Sequence, residues 1–239
     1  MIGEKHSRTI LLLGEDGFKT LQNAHVLIAG LGGVGGYAAE QLARAGIGKL
    51  TMIDADSVQE SNLNRQLIAL ESTLGQDKVD AITNRLKDIN PDIIITTKKE
   101  FITEDTTEQI FSSDTYNYVI DAIDTLTPKV SFIKECLKHN IPLVSSMGAG
   151  GKIDAEKIHI SDISETFNCG LARMLRKRLH RADIRSGFKA VFSSEKMKSE
   201  AVILEESQNK KTNVGTISYM PGIFGMFCAS VVIRDLTNV

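Results

Sequence analysis

Two rhythms alternate along the chain: short unbroken apolar runs, and longer stretches in which apolar side chains return every three or four positions. Residues 25–30 carry Val26, Leu27 and Ile28 in succession, the pattern of a parallel strand buried on both faces. Glycines follow, and residues 34–45 then read as a helix whose small side chains face the sheet. Residues 49–53 and 92–97 read as the next two strands. Between them, residues 77–89 read as a helix with Val79, Ile82, Leu86 and Ile89 on one face. A helix at 106–111, a strand at 118–122, a helix at 127–139 and a strand at 142–146 continue the alternation. This order predicts an α/β, Rossmann-like doubly wound sheet with right-handed crossovers. Beyond Gly151 the rhythm loosens. Residues 157–160 and 188–192 read as strands added antiparallel to the same sheet, around a basic helix at 171–181. Residues 219–233 are the most apolar stretch and hold Pro221, Gly222 and Gly225. They fall short of the roughly 20 residues a spanning helix needs, and read as a buried closing helix, with no membrane partner. No repeat or Pro/Ser-rich linker divides the chain, so residues 1–239 are expected to form one domain.

Composition sets limits on this picture. A chain of 239 residues, 42% hydrophobic and 24% charged, can bury a sizeable core and is not disordered. Its net charge of −2 means that any nucleic-acid contact must come from a local basic patch. Cys136, Cys169 and Cys228 lie far apart and form no C-x-x-C pair, which argues against structural zinc and for a reduced, cytoplasmic setting. Residues 1–6 lack the apolar core of a secretory leader.

Candidate chemistry begins at Gly30-Leu31-Gly32-Gly33-Val34-Gly35-Gly36, between the first strand and the first helix after it. Gly30 permits a tight turn, Gly32 lets phosphate approach the backbone, and Gly35 allows close helix–strand packing. The helix N-terminus supplies free N–H groups. Asp54 ends the second strand, where an acid would bond ribose hydroxyls. These features alone suit any nucleotide-binding Rossmann fold, a nicotinamide dehydrogenase included. Asn62, Arg65, Gln66 and Lys78 narrow the choice, because a triphosphate carries more charge than a dinucleotide and calls for cationic side chains and a divalent ion. Asp124, in Asp121-Ala122-Ile123-Asp124, falls at the C-terminal edge of the sheet, where a carboxylate can hold magnesium against phosphates. Asp121 reads as structural, or as an N-terminal charge for the next helix. No Walker-type phosphate loop occurs.

In order and spacing, G-x-G-G-V-G-G, I-D-x-D, N-x-x-R-Q, the following Lys and D-A-I-D resemble the ubiquitin-activating, ThiF-like superfamily. The resemblance implies an ATP-dependent adenylating enzyme working with Mg2+. It implies nucleotide binding by Gly30, Gly32, Gly33, Gly35 and Asp54, phosphate contacts from Asn62, Arg65 and Lys78, and metal or phosphate positioning by Asp124. Arg8, in Ser7-Arg8-Thr9-Ile10-Leu11-Leu12-Leu13-Gly14, resembles an arginine that reaches into the partner subunit's site. It implies a homodimer with Arg8 acting in trans from a segment free to leave its own subunit. Arg8 to Gly14, Pro128-Lys129, residues 141–144, residues 148–154 and residues 215–221 are similar to the tRNA threonylcarbamoyladenosine dehydratases within that superfamily. That similarity implies a tRNA substrate, with a sulfur-transfer protein as a further partner. Adenylation of the C-terminal glycine of a ubiquitin-like sulfur carrier is the nearest alternative; an NAD-dependent oxidoreductase and a nucleotide-binding module without chemistry stand further off.

A run of cations, Arg173, Arg176, Lys177, Arg178, His180, Arg181 and Arg185, surrounds an apolar seam of Leu171, Leu175 and Leu179. One face of this helix suits RNA phosphates, though no aromatic residues are interleaved. Cys169, just before it, reads as an ordinary small side chain.

Overall fold

The computed structural model describes residues 4–197, 201–204 and 212–239, so Met1–Gly3, the start of the stretch read as lacking a leader, lie outside it. Two helical segments joined by a kink at Gly14 (φ 74°, ψ 168°), together α1 (Ser7–Asn23), precede β1 (His25–Ala29), α2 (Gly35–Ala45), β2 (Lys49–Ile53), α3 (Lys78–Ile89), β3 (Ile94–Lys98), α4 (Glu104–Ser113), β4 (Tyr118–Asp121), α5 (Leu126–Lys138) and β5 (Leu143–Ser146). Then follow β6 (Ile158–Asp162), α6 (Gly170–Leu179), β7 (Lys189–Ser193), the short pair β8 (Val202–Leu204) and β9 (Thr212–Val214), and α7 (Tyr219–Thr237).

The main sheet has seven strands in the order β3-β2-β1-β4-β5-β7-β6. It is a doubly wound, Rossmann-like α/β sheet, and its strand order reverses between β1 and β4, the crevice where such sheets bind ligands. Of the two C-terminal strands, β6 is antiparallel to β7, as expected of an addition, whereas β7 itself runs parallel to β5. The chain reverses direction on passing outward to the edge at β6 and reverses again through α6 into β7, so β7 comes back parallel to β5.

Alternate residues of β1 feed two cores. Val26 and Ile28 pack with α2, α3 and α7 on one face, and Leu27 and Ala29 with α4, α5 and α6 on the other. The apolar run at 25–30 is the consequence of this double burial. α7 is the closing helix expected from its composition. By length and apolarity it could cross a bilayer, but half of its apolar window is buried in the protein, with Met220, Phe224, Cys228, Val231 and Val232 fully enclosed.

Candidate active site

The C-terminal ends of β1, β2 and β4 meet around the glycine loop. Gly30 turns with φ 90°, in the left-handed region that favours glycine. A Cβ there would stand 2.8 Å from the Ala122 carbonyl oxygen, so the turn and the close passage of residues 121–124 both need glycine. A Cβ on Gly35 would collide with the Gly30 carbonyl, and α2 can begin this close to β1 only without one. Gly33 lies under Pro221, whose Cβ would be 2.8 Å from a side chain at that position. α7 therefore roofs the loop. Gly32 has the Gln66 carboxamide as its nearest neighbour. In the first turn of α2 the Gly36 N–H bonds the Gly32 carbonyl at 3.2 Å and the Ala38 N–H the Val34 carbonyl at 3.0 Å, so the helix winds directly out of the glycine loop and points its positive N-terminal end at it, which suits an anion.

Asp54 ties the end of β2 to this loop. Its Oδ2 accepts the Leu31 N–H at 2.6 Å and its Oδ1 the Asp56 N–H at 2.9 Å. Lys78, buried at the start of α3, bonds Asp56 at 2.8 Å and stands 3.8 Å from Asp54. Burial pushes the Asp54 carboxyl above its ordinary value, while Lys78 and the two N–H donors pull it back. Residues 62–66 cover the loop from the side. Asn62 is buried and accepts the Gln59 N–H at 3.1 Å. Arg65 donates to the Ser61 carbonyl and to Asn64 Oδ1, both at 2.8 Å, and Asn64 donates to the Thr216 carbonyl at 3.0 Å. Gln66 Oε1, buried beside the loop, has no hydrogen-bond partner among the described residues. A buried acceptor of this kind suits a ligand that donates to it.

Asp124 is exposed, between β4 and the first turn of α5. The turn that carries it rests on a network that sequence reasoning only half anticipated. Asp121, read as structural, is fully buried; it accepts the Ser145 hydroxyl at 2.6 Å, pairs with Lys129 at 2.8 Å, and accepts the Ile123 N–H at 3.1 Å. Lys129 also donates to the Ile123 carbonyl at 2.8 Å. The roles of Lys129 and Ser145 were missed. The available signal was Lys129 falling in the apolar stripe of Phe132, Ile133 and Cys136 on α5, where a cation must have a buried partner.

Gly30, Gly32, Gly33, Gly35, Asp54, Asn62, Arg65, Lys78 and Asp124 thus come from distant parts of the chain to one crevice. Arg8 does not join them. Its segment is the first turn of α1, and it is seated on the body of the same chain: Lys5 bonds Asn90 and Asp92, and His6 packs on Phe18 beside Gly46. This corrects the expectation of a free arm, though Arg8 itself is exposed.

On α6, Arg173, Lys177, Arg178 and Arg181 are exposed. Arg176, counted among the outward cations, turns inward and donates to the Thr166 carbonyl at 2.7 Å and to its hydroxyl. Arg178 donates to Thr127 Oγ1 at 3.1 Å, in the first turn of α5, which places α6 beside the Asp124 turn. All three cysteines are free and buried. Burial pushes the Cys136 thiol up and the Cys228 thiol up to about 12, so neither is a nucleophile at neutral pH.

Known proteins resemble this chain along nearly its whole length. The tRNA threonylcarbamoyladenosine dehydratase of Bacillus subtilis is 41% identical over 241 residues, covering 96% of this chain and 93% of its own length. The enzyme of that name from Escherichia coli is 38% identical over 232 residues, covering 95% and 84%. The crystal structure of the E. coli tRNA N6-threonylcarbamoyladenosine dehydratase TcdA in complex with ATP superposes with a TM-score of 0.89 at 34% identity, covering all of this chain and 97% of that one. The ThiF family profile matches residues 6–239, and the chain belongs to the ThiF family.

Proposed function

We propose that this chain uses ATP to dehydrate threonylcarbamoyladenosine in tRNA, closing the side chain into a ring through an acyl-adenylate. The observation that carries this reading is similarity to enzymes of that activity along nearly the whole chain. ATP lies over the glycine loop, its ribose on Asp54 and its phosphates near Asn62, Arg65 and Lys78. The threonylcarbamoyl carboxylate attacks the α-phosphorus and pyrophosphate leaves. An atom of the same modification then attacks the activated carbonyl, the ring closes, and AMP departs. Adenylation replaces oxide, a very poor leaving group, by AMP. The attacking atom is already tethered, so the second step gains from proximity and needs no enzyme thiol. This accords with the raised, buried Cys136 and Cys228.

The charge that grows on the phosphates is offset by Arg65, Lys78 and an Arg8 supplied by a second copy of the chain. Among the described residues no cluster of three or more His, Cys, Asp or Glu side chains could enclose a metal. Asp124 alone, exposed at the sheet edge, fits a magnesium ion held chiefly by phosphate oxygens, as is usual for Mg2+ with nucleotides. Such an ion would neutralise phosphate charge. The chain acts as one adenylating domain over residues 1–239, as a cytoplasmic homodimer without a membrane partner, and a sulfur-transfer protein is its further candidate partner.

ATP–pyrophosphate exchange tests the reading. Exchange should be stimulated by tRNA carrying threonylcarbamoyladenosine. Exchange stimulated only by a ubiquitin-like carrier protein ending in glycine would move the chain to the sulfur-carrier branch.

A further inference from the structure

Single exposed apolar side chains are common on protein surfaces. Phe167 is a different case, because it is 50% exposed yet held in place from both sides. Before it, the Thr166 carbonyl and hydroxyl are bonded by Arg176. After it, Asn168 adopts φ 53°, and its side chain donates to the Ser194 carbonyl at 3.1 Å. The Phe167 ring stands edge-on to the buried Phe192 ring at 5.4 Å and 77°. The exposed ring of His159, on the edge strand β6, lies 5.6 Å from it and 5.4 Å from Phe192. His159 is itself fixed by a 2.9 Å bond between Nε2 and Ser194 Oγ. Two aromatic rings therefore meet solvent side by side on a rigid base, with little rotamer freedom left to lose on binding.

The cations of α6 stand on the same flank. Arg173, Arg176, Lys177 and His180 are spaced i, i+3, i+4, i+7 and form one stripe. Arg176 fixes the direction of that stripe, because it bonds the residue preceding Phe167. Arg173 and Lys177, both exposed, lie along it. Arg178, on the other flank, reaches Thr127 beside the Asp124 turn. An aromatic pair, its rings tilted by 44°, next to a cationic stripe on the helix that reaches Thr127 beside the Asp124 turn, complements single-stranded RNA. The base stacks and the flanking phosphates meet Arg173 and Lys177.

We propose that Phe167 and His159 form a stacking platform for an unpaired nucleobase of the tRNA, an assignment that rests on the function proposed above. The chain contains no tryptophan, so Phe167→Trp introduces a single indole fluorophore into the intact protein. tRNA carrying threonylcarbamoyladenosine is titrated in the presence of ATP and Mg2+, with binding followed independently by filter retention. The indole emission should be quenched in step with binding. Phe167→Ala should weaken tRNA binding by roughly five- to a hundredfold, the range for one stacked base. It should leave ATP affinity and the salt dependence of tRNA binding unchanged, since no phosphate contact is lost. Unchanged emission at saturating tRNA, with Phe167→Ala binding tRNA as wild type does, would overturn the platform. If tRNA is still dehydrated in that case, the proposed function stands and the aromatic pair belongs to another interface, such as a protein partner. If wild-type protein neither binds nor turns over the tRNA, both proposals fall together.

Discussion

Asp121 and Asp124 close the same short motif, and the fold separates their work. Asp121 has no contact with solvent and spends its oxygens on Ser145, Lys129 and the Ile123 N–H, whereas Asp124 is exposed at the rim. Asp124→Ala should therefore still fold, while turnover falls by about a hundredfold or more, the usual loss for one electrostatic element of an active site. Near-normal turnover in a folded variant would mean that Asp124 has been misassigned. Lys129→Met should do the reverse of a surface change. It leaves the Asp121 carboxylate buried without its cation, which costs on the order of 3–5 kcal/mol. Denaturant unfolding would report that loss. Adding Asp121→Asn should recover much of it, because the uncompensated charge is then gone. Full stability in Lys129→Met alone would show that the buried pair contributes little. Gly35 makes a similar point about the backbone, since its missing Cβ is what lets α2 start against the Gly30 carbonyl.

α6 shows how far sequence patterns reach at the scale of one element. The apolar seam and the cationic faces were legible, and Leu175 and Leu179 are buried as that seam requires. The inward turn of Arg176 was not, because its acceptors lie on a 3-10 turn at residues 163–165 and on Thr166, whose placement follows from β6. A test of the RNA face must therefore spare Arg176. Replacing Arg173, Lys177 and Arg181 with Ala should weaken tRNA binding and reduce its salt slope by roughly 0.7–0.9 per lost phosphate contact. Calorimetry should find ATP affinity unchanged, and unaltered tRNA binding would return these cations to a solvated surface. Other elements divide in the same way. The strand–helix alternation from residue 25 to 146 was readable because nearly every element has one period and buries what that period predicts; the edge strand β3, mostly exposed, departs from this. The direction of β7 was not, since parallel pairing depends on the route through the edge strand β6. α1 escaped notice because Gly14, at φ 74° inside it, breaks its pattern, and Leu11 and Leu12 face outward. The residues proposed for the nucleotide site were legible as a motif; the buried Asp121–Lys129 support was hidden because it is local in space and not in spacing.

The whole molecule decides whether Arg8 can serve its own site. Lys5 and His6 seat the start of α1 against Gly46, Asn90 and Asp92, next to the residues that lead into β2 and β3. The crevice lies at the other ends of these strands. Along β2, the six steps from Gly48 to Asp54 amount to about 20 Å of extended chain. Arg8 is two residues beyond His6, at most about 3 Å further along a helix. That leaves a gap longer than an arginine side chain, so an Arg8 that acts in catalysis must act on a second copy. Leu11 and Leu12, 86% and 83% exposed on the same helix, are apolar surface that such a copy would cover. Two-fold symmetry would give each site one donated Arg8. Arg8→Ala and Asp124→Ala should each be inactive alone. When the two are dissociated together and allowed to reassociate, the mixed dimer contains one whole site: the Arg8→Ala chain keeps its own Asp124 and receives Arg8 from its neighbour. Random pairing makes about half the dimers mixed, with one working site of two, so roughly a quarter of wild-type activity should return. If Arg8 served its own subunit, every site in the mixture would lack one residue and nothing would return. Verified subunit exchange without recovered activity would therefore reject the donated arginine while leaving the ATP crevice in place.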